Sequence, residues 1–134
     1  MSFTDLPLLS QIKGRLSWLD ERQRVIAQNV ANADTPGYVS RDLNQPSDFA
    51  RALTEGGGVR MTRTSAMHIA PAGQTARFDT TTAPDSETTL DGNSVVVEEQ
   101  MLKMAESRMA YDAAIGLYQK SMQMLRMAAR APGR

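Results

Sequence analysis

The chain has no cysteine and a single histidine among its 134 residues. Without thiols it forms no disulfide and no thiolate metal site, and an oxidising compartment does it no harm. His68 sits in Ala-Met-His-Ile-Ala within the polar middle, where a lone imidazole reads as a structural or surface residue and not as a ligand or base. An excess of one charge is also missing: 15 Lys and Arg stand against 15 Asp and Glu, with the signs interspersed. Nucleic acid and anionic membranes both require clustered cations, so neither is expected as a partner. No run approaches the roughly 18 consecutive apolar residues of a membrane span. The first residues lack the basic region, apolar run and small-residue cleavage site of a secretory signal, so the general secretory route is not expected.

Catalytic chemistry is scarce too. The triplet Gly56, Gly57 and Gly58 is followed by Val59 and Arg60, not by Lys-Ser or Lys-Thr at a helix start, so it lacks a phosphate-binding context and reads as a joint. Asp79, Asp85, Glu87 and Asp91 lie in Thr-rich sequence without calcium-loop spacing and read as solvated loop residues. The expectation is a non-enzymatic chain with no cofactor and no metal.

What the chain does have is two long heptad patterns. Leu9, Ile12, Leu16, Leu19, Gln23, Ile26, Val30 and Ala33 recur at alternating steps of three and four. With Asp5 as N-cap and Pro7 in the first turn, they predict a helix to Ala33, a rod of about 40 Å. A second seam runs Val97, Met101, Met104, Arg108, Tyr111, Ile115, Tyr118, Met122, Leu125 and Ala129, with Asn93 or Ser94 as cap and Glu98 and Glu99 early in the helix. Arg108 is an irregularity, and Asp20 or Glu21 could meet it if the helices run antiparallel. Gly14 and Gly116 cost about 1 kcal/mol each against Ala and are read as places of close backbone approach.

Beside the second seam runs another row, Ala110, Ala114, Leu117, Ser121, Met124 and Ala128, so one partner cannot cover the whole apolar arc. Six of the 9 methionines lie in this helix, as adaptable filler for irregular contacts. Between the helices, Thr54 to Ser94 carries few large apolar residues and is not expected to fold alone. The predicted fold is all-α: an antiparallel coiled-coil hairpin with a polar, mostly irregular insert, in which Val59 to Thr64 has the alternation of a short hairpin arm. Residues 1–38 and 95–134 form one assembly domain and residues 39–94 the insert.

The first helix ends in Ala-Asn-Ala-Asp-Thr-Pro-Gly-Tyr, residues 31–38. Pro36 disfavours helical torsions at Thr35, and Thr-Pro-Gly-Tyr has the type II preference in which Gly37 supplies positive φ. Asn32 and Asp34 can bond nearby backbone groups, and Tyr38 offers a large amphipathic side chain just beyond the reversal.

The stretch from Gln28 to Tyr38, with Asn29, Val30, Asn32, Asp34, Thr35, Pro36 and Gly37, closely resembles the N-terminal signature of the axial proteins of the bacterial flagellum. Asp34 before the Pro-Gly corner, Arg41 and Asp42 after it, and Gly92, Asn93, Ser94, Val95, Glu99, Met101, Glu106 and Tyr111 resemble the basal-body rod family, nearest its proximal rod subunits. Val39 stands where that family usually carries Lys or Arg. The resemblance implies a substrate of the flagellar type III export apparatus with an uncleaved N-terminal signal. It implies assembly at the membrane-proximal base of the periplasmic rod, where the terminal helices form a tubular coiled-coil layer. The implied partners are other rod subunits, the rod junction protein, the membrane ring and the export gate. The same seams would also serve a self-contained helical adaptor or secretion chaperone.

Overall fold

The computed structural model describes residues 7–45 and 78–130. In chain order these form helix α1 (Pro7–Ala31), strands β1 (Arg41–Leu43) and β2 (Thr80–Thr82), and helix α2 (Val97–Ala129). At 1.5 Å per residue the helices are rods of about 37 and 50 Å. The predicted N-cap Asp5, the hairpin arm at Val59 to Thr64, the joint at Gly56 to Gly58 and His68 lie outside the described residues.

The two helices run antiparallel. Asn29 near the end of α1 bonds Gln100 near the start of α2 at 2.9 Å, while Leu8 and Leu9 share a cleft with Ser121, Met124, Leu125 and Ala128 at the far end. This is the helix, insert, helix hairpin that the two seams predict. Helix α1 stops at Ala31 and not at Ala33, because the next backbone bonds, Ala33 N–H to the Val30 carbonyl and Thr35 N–H to the Asn32 carbonyl, tighten to three-residue turns and Asn32 caps the last turn. Its backbone N–H reaches the Gln28 and Asn29 carbonyls at 3.1 Å, and its side-chain amide donates to the Gln28 carbonyl at 2.8 Å.

The core is small and lies on α1. Leu9, Ile12, Leu19 and Ile26 are buried along the predicted seam, and Trp18, Val25 and Leu43 are buried beside it, with Phe78, Ala110 and Tyr111 packed on the cluster. Burying each such large side chain contributes roughly 1.5–3 kcal/mol. Leu16, placed in the seam by spacing, is only half-buried, because β1 covers the neighbouring row and brings Trp18 inside instead. The Trp18 indole N–H donates to the Asn44 carbonyl at 2.9 Å. The guanidinium groups of Arg15 and Arg22 lie 4.9 and 5.5 Å from its ring centre. Arg22 then forks onto both carboxylate oxygens of Asp42 at 3.1 Å, tying α1 to the strand.

Strands β1 and β2 pair antiparallel, Arg41 with Thr82, Asp42 with Thr81 and Leu43 with Thr80. The sheet thus joins the two described flanks of the insert. Its β-branched threonines suit extended backbone, and only Leu43 turns into the core.

The face α2 turns to α1 differs from the one its largest apolar residues mark. Gln100, Ser107 and Ser121 are buried there, with Met104, Ala110, Tyr111, Ala114, Tyr118 and Leu125 half-buried. Val97 and Met101, both expected in the seam, are 37% and 59% exposed. The helix is rotated so that small residues meet α1, since short side chains let two helix axes come closer than a row of methionines would. Ile115 and Met122 flank the contact half-buried, Val30 is half-buried on α1, and Leu117, Met124 and Ala128 of the second row stay exposed. The rotation also corrects two other expectations. Arg108 is exposed and needs no acid from α1, and Glu21 instead pairs with Arg24 one turn on, at 3.3 Å. Gly14 and Gly116 do not mark close approach, because a Cβ added at either meets nothing within 4 Å.

Gly14→Ala and Gly116→Ala should therefore each stabilise the helices by about 0.5–1 kcal/mol. Denaturant unfolding of the purified chain checks this, and a loss of stability would mean that the backbone there meets another segment.

Candidate functional site

The end of α1 and the start of α2 meet in a buried polar clasp. Its centre is Asn29, which is fully buried. A primary amide has two N–H donors and two acceptor lone pairs, and here every one is occupied. Its Nδ2 donates to the Arg41 carbonyl at 2.7 Å and to Gln100 Oε1 at 2.9 Å. Its Oδ1 accepts the Arg41 backbone N–H at 3.0 Å and the Tyr38 hydroxyl at 3.3 Å. One side chain thus holds the last turn of α1, the residues after the corner and the opposite helix.

The network continues through Gln100, also fully buried. Its Nε2 donates to both carboxylate oxygens of Asp85, at 3.0 and 2.8 Å. Asp85 also accepts the Val96 backbone N–H at 2.8 Å and the Lys103 ammonium at 3.0 Å. Burial alone would raise the Asp85 pKa. The hydrogen bonds from Gln100, Val96 and Lys103, with the Lys103 charge, outweigh it and hold the carboxyl below its ordinary value. Asp85 is therefore no solvated loop residue. It acts as a capping group for α2 supplied from a distance, placing a negative charge where the helix dipole favours one. Val96, at the N-cap position, has no polar side chain to cap with, and Asp85 serves in its place.

Asn93 and Ser94, expected as caps, work elsewhere. Asn93 Nδ2 donates to the carbonyls of Asn32 and Thr35 at 2.9 and 2.7 Å, and its Oδ1 accepts the Val95 N–H at 2.9 Å. Ser94 Oγ accepts the Ser40 backbone N–H at 3.2 Å, and the Ser94 N–H donates to the Tyr38 carbonyl at 3.0 Å. Ser40 is fully buried between these partners, with its own N–H and hydroxyl used on Ser94 and Ala83.

Two glycine turns face each other across the clasp. Gly37 has φ +71° and Gly92 φ +84°, torsions that L side chains resist. The Tyr38 N–H donates to the Thr35 carbonyl at 3.2 Å, closing the Thr-Pro-Gly-Tyr corner. The Gly37 N–H reaches the Asp91 carbonyl at 2.9 Å, and a Cβ on Gly92 would stand 3.3 Å from the Gly37 Cα. Thr89 and the Asn93 N–H both donate to Asp91, in that order the causes that lower its pKa.

Of the residues singled out in the corner, Asn29, Asn32, Thr35, Gly37 and Tyr38 are brought together here, with the Thr35 hydroxyl on Asn32 Oδ1 at 3.2 Å. Asp34 and Pro36 are exposed. Asp85, Ser40, Gln100 and Lys103 were not foreseen. The one available signal was Gln100, an uncharged polar residue that stands between Glu99 and the apolar pair Met101 and Leu102. Among the described residues no group of three or more His, Cys, Asp or Glu is placed to hold a metal, and no helix is long and apolar enough to cross a membrane. The arrangement has the means to hold a direction. It fixes how the chain leaves α1 and where α2 begins, and it leaves Leu102, Met109, Leu117, Met124 and Met127 of α2 exposed.

Comparison with known proteins bears on what that rigid joint serves. A family model described as flagella basal body rod protein matches residues 13–38, the stretch of α1 that ends in the corner. The flagellar basal body rod protein FlgB of Salmonella typhimurium is 34% identical over 100 residues, covering 71% of this chain and 72% of that protein. FlgB of Proteus mirabilis is 30% identical over 105 residues, with 75% and 77% covered. FlgB of Escherichia coli is 34% identical over 102 residues, with 71% and 72% covered.

Gly92→Ala should cost more stability than Gly37→Ala. Both pay for positive φ, about 1 kcal/mol or more, but only the Gly92 Cβ presses on backbone; equal losses in denaturant unfolding would contradict this. Asp85→Asn should cost about 1.5–3 kcal/mol at neutral pH. Because the folded-state pKa is lowered, the stability Asp85 contributes is present above its ordinary value of 3.8 and is lost as pH falls below it. Unfolding curves across this range should show the parent and Asp85→Asn chains converging in acid and parallel near neutrality.

Proposed function

The chain belongs to the flagellar basal body rod protein family, and from that premise we propose that it is a subunit of the proximal rod. It is a structural component of the basal body and not an enzyme. In the finer reading it is exported by the flagellar type III apparatus and reaches the periplasmic rod without a cleaved signal. There its terminal helices assemble with other rod subunits into a tubular layer that transmits torque. Its neighbours in this reading are other rod subunits, the junction protein, the membrane ring and the export gate.

One observation supports an assembly role above all. Helix α2 has α1 on one side and, on the opposite side, an exposed apolar row in which Leu102 is 62%, Met109 70% and Met127 60% exposed. A long helix that is apolar on two opposed faces needs more than one helical neighbour. The residues divide accordingly. The segments 1–38 and 95–134 form the assembly domain, with Leu9, Ile12, Leu16, Leu19, Ile26 and Val30 of α1 against Met104, Tyr111, Tyr118 and Leu125 of α2. Val97, Met101, Ile115 and Met122 on one flank and Leu117, Met124 and Ala128 on the other are offered to neighbours. The corner from Asn29 to Tyr38 sets the exit of the insert, residues 39–94, so that it leaves every subunit in the same direction.

Basal bodies purified from cells carrying an epitope-tagged copy test this. The chain should co-purify with the rod, and deletion of its gene should abolish swimming until the chain is restored. An adaptor or secretion chaperone would stay in the cell body and be missing from the purified basal bodies, and that result would overturn the rod assignment.

A further inference from the structure

The outward face of α2 carries a pattern that is complementary to itself. Leu102, Glu106, Met109, Ala113, Leu117, Lys120 and Met124 follow one another at steps of three and four and are all exposed. They form a second heptad row of about 33 Å, roughly a third of a turn around the helix from the Gln100, Ser107 and Ser121 contact with α1, which it meets only at Met124, in the cleft shared with Leu8 and Leu9. Reversing this row about Ala113 sets Leu102 against Met124, Glu106 against Lys120, Met109 against Leu117 and Ala113 against itself. Apolar meets apolar, and each acid meets a base.

We infer that two copies of the chain pair through this row as an antiparallel dimer with its two-fold axis at Ala113. The charges decide the orientation. A parallel, in-register pair would stack Glu106 on Glu106 and Lys120 on Lys120, whereas the reversed pair forms the Glu106 to Lys120 contact twice. The small side chain at Ala113 lets the two helices approach where they cross. The partner chemistry is that of a second copy, because the same positions supply both halves of every contact. The pairing stands on this pattern alone; only its consequence rests on the rod reading. The row it covers is the one assigned there to rod neighbours, so the dimer is a storage form that must separate before the subunit joins a rod whose subunits all point the same way.

The absence of cysteine makes the test clean. In the full chain, Ala113→Cys should form a covalent dimer under mild oxidation, since a residue on the two-fold axis brings its own copy within disulfide reach. Gln119→Cys, also exposed but about a third of a turn around the helix, should not. By sedimentation, Glu106→Lys and Lys120→Glu should each weaken the dimer at least tenfold, and the combined exchange should restore it, with circular dichroism confirming that all variants keep their helices. Equal cross-linking at positions 113 and 119, a parent chain that stays monomeric, or a double exchange no better than its singles would overturn the pairing. A chain that enters basal bodies yet never cross-links through position 113 sinks the dimer and leaves the rod reading intact. A dimer that is missing from basal bodies does the reverse.

Discussion

The structure depends on one buried amide. Asn29 lies at the point where α1 ends, the chain reverses and α2 begins, and its four hydrogen bonds join all three. A buried amide is costly if any of its groups lacks a partner and specific if none does. Here complete satisfaction leaves one geometry: Arg41 must be extended beside it, Tyr38 must fold back, and Gln100 must sit opposite. Apolar contacts could have held the helices together in several registers, but this contact admits one.

From that point the network spreads to both helices. Gln100 passes the constraint to Asp85, which restrains Lys103 and closes the N-terminus of α2. Asn93 reaches the other way, under the Asn32 and Thr35 carbonyls just past the end of α1 at the Pro-Gly corner. The corner is therefore clamped from outside as well as shaped from within, and the two glycines are needed because backbone meets backbone there. Away from the clasp, Trp18 and Arg22 bond the strand side, and no side-chain hydrogen bond joins the two helices among the described residues. Toward the other end of the hairpin the contact is made by Leu9, Ile12, Ala114, Tyr118, Ser121 and Leu125, with the Ser107 and Ser121 hydroxyls buried and without a hydrogen-bond partner among the described residues. Register is set at one end of the rods, apolar burial runs along α1 from Leu9 to Ile26, and apolar surface remains on α2.

This division suits a subunit of a larger helical structure. In the proposed assembly, a joint that holds its angle lets identical chains present their inserts in a common direction, and the exposed apolar row of α2 is the surface offered to neighbouring chains. Three of the six methionines of α2, Met109, Met124 and Met127, lie on this exposed side, where an unbranched thioether adapts to an irregular contact.

Much of this was legible in the chain itself. The two helices, their antiparallel pairing, the reversal at Pro36 and Gly37 and the surplus apolar surface of α2 all follow from local rules: apolar spacing, proline sterics and glycine torsion act within a few residues. The rotation of α2 that buries Gln100 and Ser107 while exposing Val97 and Met101 follows from no local rule, since it depends on which partner atoms lie across the gap. Nor could Asp85 be told from Asp79 or Glu87 in the same Thr-rich stretch, because what distinguishes it is a glutamine fifteen positions away. Periodicity settles which elements form and how they are punctuated. Only the assembled fold settles which polar groups find one another, because a hydrogen bond needs its partner within about 3 Å, whatever the distance along the chain.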